Sequence, residues 1–145
     1  MRRVKASQTI SASPEAVFAF VADLANLPRW QSGIVSAEQT TPDPVGVGSS
    51  AHVVRELLGQ RLAVDLSVTD YQPGQRLALA SAASGIAVIG ALDLEPAPAG
   101  TLIRFTMEIR AQNVFMAPFE GAVAGAAASD LATSLEQLKT ALERP

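Results

Sequence analysis

Val4, Ala6, Gln8 and Ile10 alternate with Lys5, Ser7 and Thr9, a period of two that suits a half-solvated strand. Ser13 before Pro14 then marks a helix start. The hydroxyl caps an orphan amide, and proline in the first turn gives up no hydrogen bond it needed. Ala16, Val17, Phe20, Val21 and Leu24 follow at helical spacing, and Asn26 to Trp30 reads as one more short turn limited by Pro28. Period two returns for six segments: Ile34–Gln39, Ser50–Leu58, Arg61–Tyr71, Arg76–Ser81, Ile86–Glu95 and Leu102–Arg110. The breaks fall at Thr41-Pro42-Asp43-Pro44, Gln72-Pro73-Gly74, Ser81 to Gly85 and Pro96 to Gly100, where glycine and proline reverse the chain. Ala117 to Leu142 closes as one long helix, its stripe running through Val123, Ala127, Leu131, Leu135, Leu138 and Leu142.

Seven strands in this order predict an α+β domain, an antiparallel sheet with two short helices after strand one. One apolar face must be covered, and the last helix is the only element long enough to cross it. That helix begins with Gly121-Ala122-Val123-Ala124-Gly125-Ala126-Ala127-Ala128, almost without side-chain volume. Either it sits close on the sheet, or a void remains opposite Ile103, Phe105, Met107 and Ile109. A void so lined is an apolar ligand pocket.

A two-residue turn at Gly59-Gln60, with glycine first as in type II′, sets a register. Leu57 then faces Leu62, Arg55 faces Val64, Val53 faces Leu66 and Ala51 faces Val68, while His52, Glu56, Arg61, Asp65 and Ser67 point outward. Arg55 is the one charged residue on the inner face of this hairpin. A buried guanidinium needs a partner or an exit. Two placements are open: the side chain snorkels to the rim, or it anchors a ligand carboxylate or phenolate.

Composition narrows the chemistry. The 145 residues are 48% hydrophobic and 17% charged, enough for one domain, residues 1 to 145, with a core of its own. A net charge of −3 gives no field for nucleic acid or anionic membranes. With no cysteine and one histidine, disulfides, thiolate nucleophiles and metal sites drop out, and no cofactor is expected. Met1 to Lys5 is basic, but Ala6 to Glu15 is too polar for a signal peptide. The uncharged run Leu77 to Leu92 is shorter than the ~18 residues of a spanning helix and reads as two buried strands. A soluble, cytoplasmic protein without membrane insertion is the expectation.

Few side chains offer reaction chemistry. His52 is the only imidazole, yet its register places it outside. Tyr71 and Asp70 end a strand before Pro73, and Glu120 suits a helix amino terminus better than acid catalysis. Trp30, the single tryptophan, either flanks a pocket mouth or covers the gap between short helices and sheet.

The stretch Ile10-Ser11-Ala12-Ser13-Pro14-Glu15-Ala16-Val17-Phe18, with Asp23 and Leu27-Pro28-Arg29-Trp30, resembles the amino-terminal signature of the START-like, or SRPBCC, superfamily. Gly46-Val47-Gly48, Val68-Thr69-Asp70-Tyr71-Gln72-Pro73 with Arg76-Leu77, Gly100-Thr101 and Leu135-Glu136-Gln137-Leu138-Lys139 extend the resemblance over the whole chain. It implies the helix-grip fold, with the sheet wrapped around the carboxy-terminal helix and a deep pocket for a hydrophobic molecule such as a lipid, quinone or polyketide. Cyclase and dehydratase members place polar acid–base groups inside that pocket, whereas this inner face shows mainly Arg55.

Three functions are carried forward. The first is binding, transport or sequestration of one small hydrophobic molecule, with Trp30, Val53, Arg55, Leu66, Ile103, Phe105, Met107, Phe119 and Ala126 as its walls. The second is a polyketide cyclase or dehydratase, Arg55 orienting an enolate and His52 or Tyr71 moving protons. The third is a protein-binding module with a vestigial cavity. Monomer and homodimer are both compatible with the sequence.

Overall fold

The computed structural model describes residues 1–57, 59–83 and 85–143, with the side chain of Leu57 left aside. Strand β1 (Arg2–Ile10) leads into helix α1 (Pro14–Ala22), a 3₁₀ turn at Leu24–Asn26 and the single-turn helix α2 (Leu27–Trp30). Six strands follow: β2 (Ile34–Gln39), β3 (Ser50–Leu57), β4 (Gln60–Gln72), β5 (Arg76–Ala83), β6 (Ile86–Ala97) and β7 (Gly100–Ala111). A 3₁₀ turn at Ala117–Phe119 opens onto helix α3 (Glu120–Glu143).

All seven strands form one antiparallel sheet in the order β1-β7-β6-β5-β4-β3-β2. The expected meander is there, with β1 returning to pair with β7. Ser13 caps α1 as its hydroxyl predicts, Oγ accepting from the Ala16 amide at 3.2 Å. The stripe Val123, Ala127, Leu131, Leu135 and Leu138 is buried as the helical period requires. Near its end α3 is tied to β1 by Lys139 Nζ donating to the Thr9 carbonyl at 3.2 Å and by Glu143 accepting from the Ser11 amide at 2.8 Å.

Strands run further into the hairpin ends than their breaker residues suggest. Ala83 pairs with Ile86 and Ala97 with Gly100, so only two residues remain in each loop. Ser84, in the turn expected at Ser81 to Gly85, and Leu58, the expected end of the third strand, lie outside the described residues.

The β3–β4 register differs from the sequence reading. Leu57 pairs with Gln60, Arg55 with Leu62, Val53 with Val64 and Ala51 with Leu66. Gly59, at φ +79°, therefore takes the second central position of the turn instead of the first. The slip is two residues, so every side chain keeps its face and Arg55 stays on the inner side.

Candidate functional site

The inner face of β4 to β7 meets α2 and the first half of α3 across two adjoining cavities. Each measures about 30 Å³, room for one or two water molecules. Gln31, Arg55, Val88, Phe105 and Met107 line both. The first extends over Trp30, Leu66, Leu77, Leu79, Ser81, Gly90 and Leu92, and the second is closed by Ile109, Val123, Ala127, Leu131, Asp130 and Ser134. Ser32, Glu56 and Asp130 also line an open groove on the outside, so they separate the second cavity from solvent.

Local geometry explains this rim. Gly33, at φ +92°, lets the corner after α2 approach α3, because a Cβ there would lie 3.3 Å from Asp130 Oδ2. Its carbonyl accepts from the Glu56 amide at 2.6 Å, and the Ser32 amide donates to Ser134 Oγ at 2.8 Å. Trp30 is fully buried with its ring 5.8 Å from that of Phe105, and its Nε1–H has no partner among the described residues.

Arg55 is the charged residue that lines both cavities from the sheet. Burial holds its guanidinium below the usual arginine value, and the Asp130 charge pulls partway back. Burial raises the Asp130 carboxyl above the usual aspartate value, with Arg55 and the Ser32 hydroxyl, 3.4 Å from Oδ1, opposing. No ion pair within 4 Å joins the two among the described residues.

Of the walls expected from sequence, Trp30, Arg55, Leu66, Phe105 and Met107 line the cavities. Val53 and Ile103 are fully buried in the core beside them. Two placements are corrected. Phe119 sits in the 3₁₀ turn before α3 and is 51% exposed, because α3 starts three residues later than the apolar pattern suggests. Ala126 faces the outer groove, since the sheet-facing stripe passes through Val123 and Ala127, one position round the helix. His52 stands on the outer face, its Nδ1 3.0 Å from Asp65 Oδ1. Tyr71 is packed edge-on against Phe18, ring centres 5.2 Å apart. Neither lines the two cavities. Glu120 accepts from the Ala111 amide at 2.8 Å, fastening the start of α3 to the end of β7.

Gln31, Asp130 and Ser134 escaped the sequence reading. Asp130 did leave a signal: it is the only charged residue between Glu120 and Glu136, and it falls three and seven residues from Ala127 and Val123, on the sheet-facing side. Gln31 follows the short turn of α2, where no periodicity marks which way it points.

Residues 1–143 match the family model described as "Polyketide cyclase / dehydrase and lipid transport". The chain belongs to this polyketide cyclase/dehydrase and lipid transport family. No curated protein matches its sequence. Among solved structures, a START superfamily protein from Mycobacterium smegmatis superposes with a TM-score of 0.80 at 17% identity, covering 98% of this chain and 97% of that one. TTHA0849 from Thermus thermophilus also gives 0.80, at 18% identity and 97% coverage of each chain. CV1439 from Chromobacterium violaceum gives 0.71 at 21% identity with both chains fully covered. At these identities the likeness is one of fold, the sheet wrapped around the last helix, which is the helix-grip architecture of START-like family members. No described helix is long and apolar enough to cross a membrane.

Proposed function

We propose that this family member binds one small, largely hydrophobic molecule between the sheet and α3. The observation that carries the reading is a line of apolar side chains, Leu66, Leu77, Leu79, Val88, Leu92, Phe105 and Met107, around unfilled space that Trp30 and Gln31 bound in the first cavity and Val123, Ala127 and Leu131 of α3 bound in the second. Binding requires the space to grow. Sites for drug-sized ligands run from about 300 to 1,000 Å³, an order of magnitude more than the 30 Å³ of either cavity. Met107 has flexible torsions, and the first two turns of α3 contribute only Val123 and Ala127 to the wall of the second cavity, ahead of Asp130, Leu131 and Ser134. Each 100 Å² of ligand apolar surface buried contributes about 2.5 kcal/mol before association costs.

Native mass spectrometry of freshly purified protein, with solvent extraction of any bound mass, tests the reading. Trp30 adds a second readout, because a single buried indole on the cavity wall makes its fluorescence a direct report of occupancy. An empty protein that stays unresponsive to lipid, quinone and polyketide panels would refute it.

A second reading has its own support. The cavities are small, while Val114 and Phe115, before the 3₁₀ turn, are 77% and 82% exposed beside Phe119. Such a patch favours a protein-binding module. Replacing Phe115 by serine leaves ligand binding intact on the first reading and abolishes partner capture on the second. The cyclase or dehydratase reading lacks its proton-moving pair, since His52 and Tyr71 stand away from the cavities.

A further inference from the structure

The cavities are apolar on the sheet side, yet three polar groups converge where β3 meets α2. Arg55 contributes its guanidinium, Gln31 a carboxamide on a residue only 7% exposed, and Trp30 an indole N–H that is completely buried. Among the described residues, no side-chain hydrogen bond and no ion pair within 4 Å engages Arg55 or Gln31, and Trp30 Nε1 is the one fully buried polar side-chain atom without a partner. The Arg55 and Gln31 side-chain nitrogens, unlike Trp30 Nε1, keep contact with solvent, so water serves them until a ligand takes its place. Guanidinium and indole N–H can only donate, and a carboxamide can donate from its nitrogen, so the complement of this set is a group that only accepts.

We propose that the ligand is an amphiphile with an anionic oxygen head, a carboxylate or phenolate, which Arg55 and Gln31 receive while its apolar body lies along Val88, Phe105 and Met107. This rests on the ligand-binding reading above and specifies its chemistry. Asp130 is the competing acceptor. It approaches the second cavity from α3 but stops short of an ion pair with Arg55, leaving the five guanidinium N–H groups open to a ligand that reaches them. Glu56, next to Arg55 in the chain, turns toward Arg61 at 3.7 Å. A planar carboxylate matches the guanidinium fork, which a neutral hydroxyl or ester cannot do twice over.

The test compares ligands that differ only in the head: decanoic acid against 1-decanol, and 2-naphthoic acid against its methyl ester, titrated calorimetrically and by Trp30 fluorescence at pH 7.5. Each acid should bind the wild-type protein at least about tenfold more tightly than its neutral partner, the lower end of what a charge-assisted hydrogen bond supplies. Arg55→Met, which keeps the apolar stem, should bring the ratio of acid to neutral binding down toward one, while Arg55→Lys should restore part of the preference. Equal binding of acid and neutral ligands by the wild-type protein overturns the proposal and leaves the ligand-binding reading standing, and it needs no variant to fold. Equal loss of both by Arg55→Met, with Arg55→Lys no better, also overturns it. Binding of neither pair overturns proposal and reading together.

Discussion

Gly90 offers a direct test of whether the space beside Phe105 is real. It lies on β6 between Leu79 and Met107, lines the first cavity, and has no positive φ that would penalise a side chain. A Cβ built there meets Phe105 Cε1 at 3.4 Å, Met107 Cε at 3.9 Å and Phe105 Cζ at 4.0 Å, ordinary contacts with movable side chains. Alanine therefore fills part of the cavity without displacing backbone. Burying one methyl contributes about 0.8 kcal/mol, and removing glycine's freedom from the unfolded chain adds about 0.4 to 1 kcal/mol. The sum, about 1 to 2 kcal/mol, corresponds to a rise in Tm of about 3 to 6 °C for a domain of this size. The same methyl occupies ligand space, so Gly90→Ala should melt higher and bind decanoic acid several-fold more weakly. Differential scanning calorimetry and fluorescence titration of one preparation read both effects. A lower Tm with unchanged affinity would mean that the inner face has no room at Gly90 and that the ligand lies elsewhere.

Three further outcomes are expected. Asp130→Asn removes the negative charge that shares the cavity with Arg55, so acidic ligands should bind more tightly and neutral ones unchanged; loss of acid binding in this variant would show that Asp130 organises the site. Thr101 is fully buried and its Oγ1–H donates to the Ala12 carbonyl at 2.7 Å, so Thr101→Val should cost about 1 to 3 kcal/mol in urea denaturation, and a neutral effect would show that water reaches that carbonyl. Glu120 is held below the usual glutamate range, chiefly by the Ala111 amide, so the stability it contributes is complete above its unfolded value near 4.3 and is lost as pH falls through its lower folded value. Glu120→Gln should accordingly flatten the acid limb of a plot of urea midpoint against pH between about 5 and 3, and an unchanged limb would assign it to Asp70 and Glu143, whose carboxyls are depressed as well.

The elements were legible because their causes are local. Ser13 before Pro14, the alternation of Val4 to Ile10 and the stripe from Val123 to Leu138 each act over one turn or one strand. The face of Arg55 was legible for a different reason: strand alternation fixes which side a residue takes, while the turn fixes only its partner, so placing Gly59 in the wrong turn position moved every pair and no side chain. Phe119 and Ala126 failed where apolarity alone was asked to choose a direction. An apolar residue in a capping turn is as free to face solvent as the core, and Ala126 belongs to the alanine run, although the stripe through Val123, Ala127 and Leu131 already passes one position away from it. The polar end of the cavity depends on Gln31 and Asp130 coming together from segments about 100 residues apart, and no local rule carries that information.

Strand β1 waits for its partner during synthesis. Its rungs join Ile10 to Thr101 and Arg2 to Ile109, so nearly the whole domain must be made before the first strand can pair. At about 5 to 20 residues per second the nascent segment spends roughly 5 to 20 s outside any sheet, and closing so long a loop places this step among the slow ones of folding. Arg2, Arg3 and Lys5 guard the interval, since charged side chains discourage an unpaired strand from adding to another chain's edge. Neutralising Lys5, which makes no ion pair among the described residues while Arg3 pairs with Glu108, is thus a change that the finished protein would tolerate and the ribosome-bound one would not, visible as lower soluble yield with an unaltered melting curve.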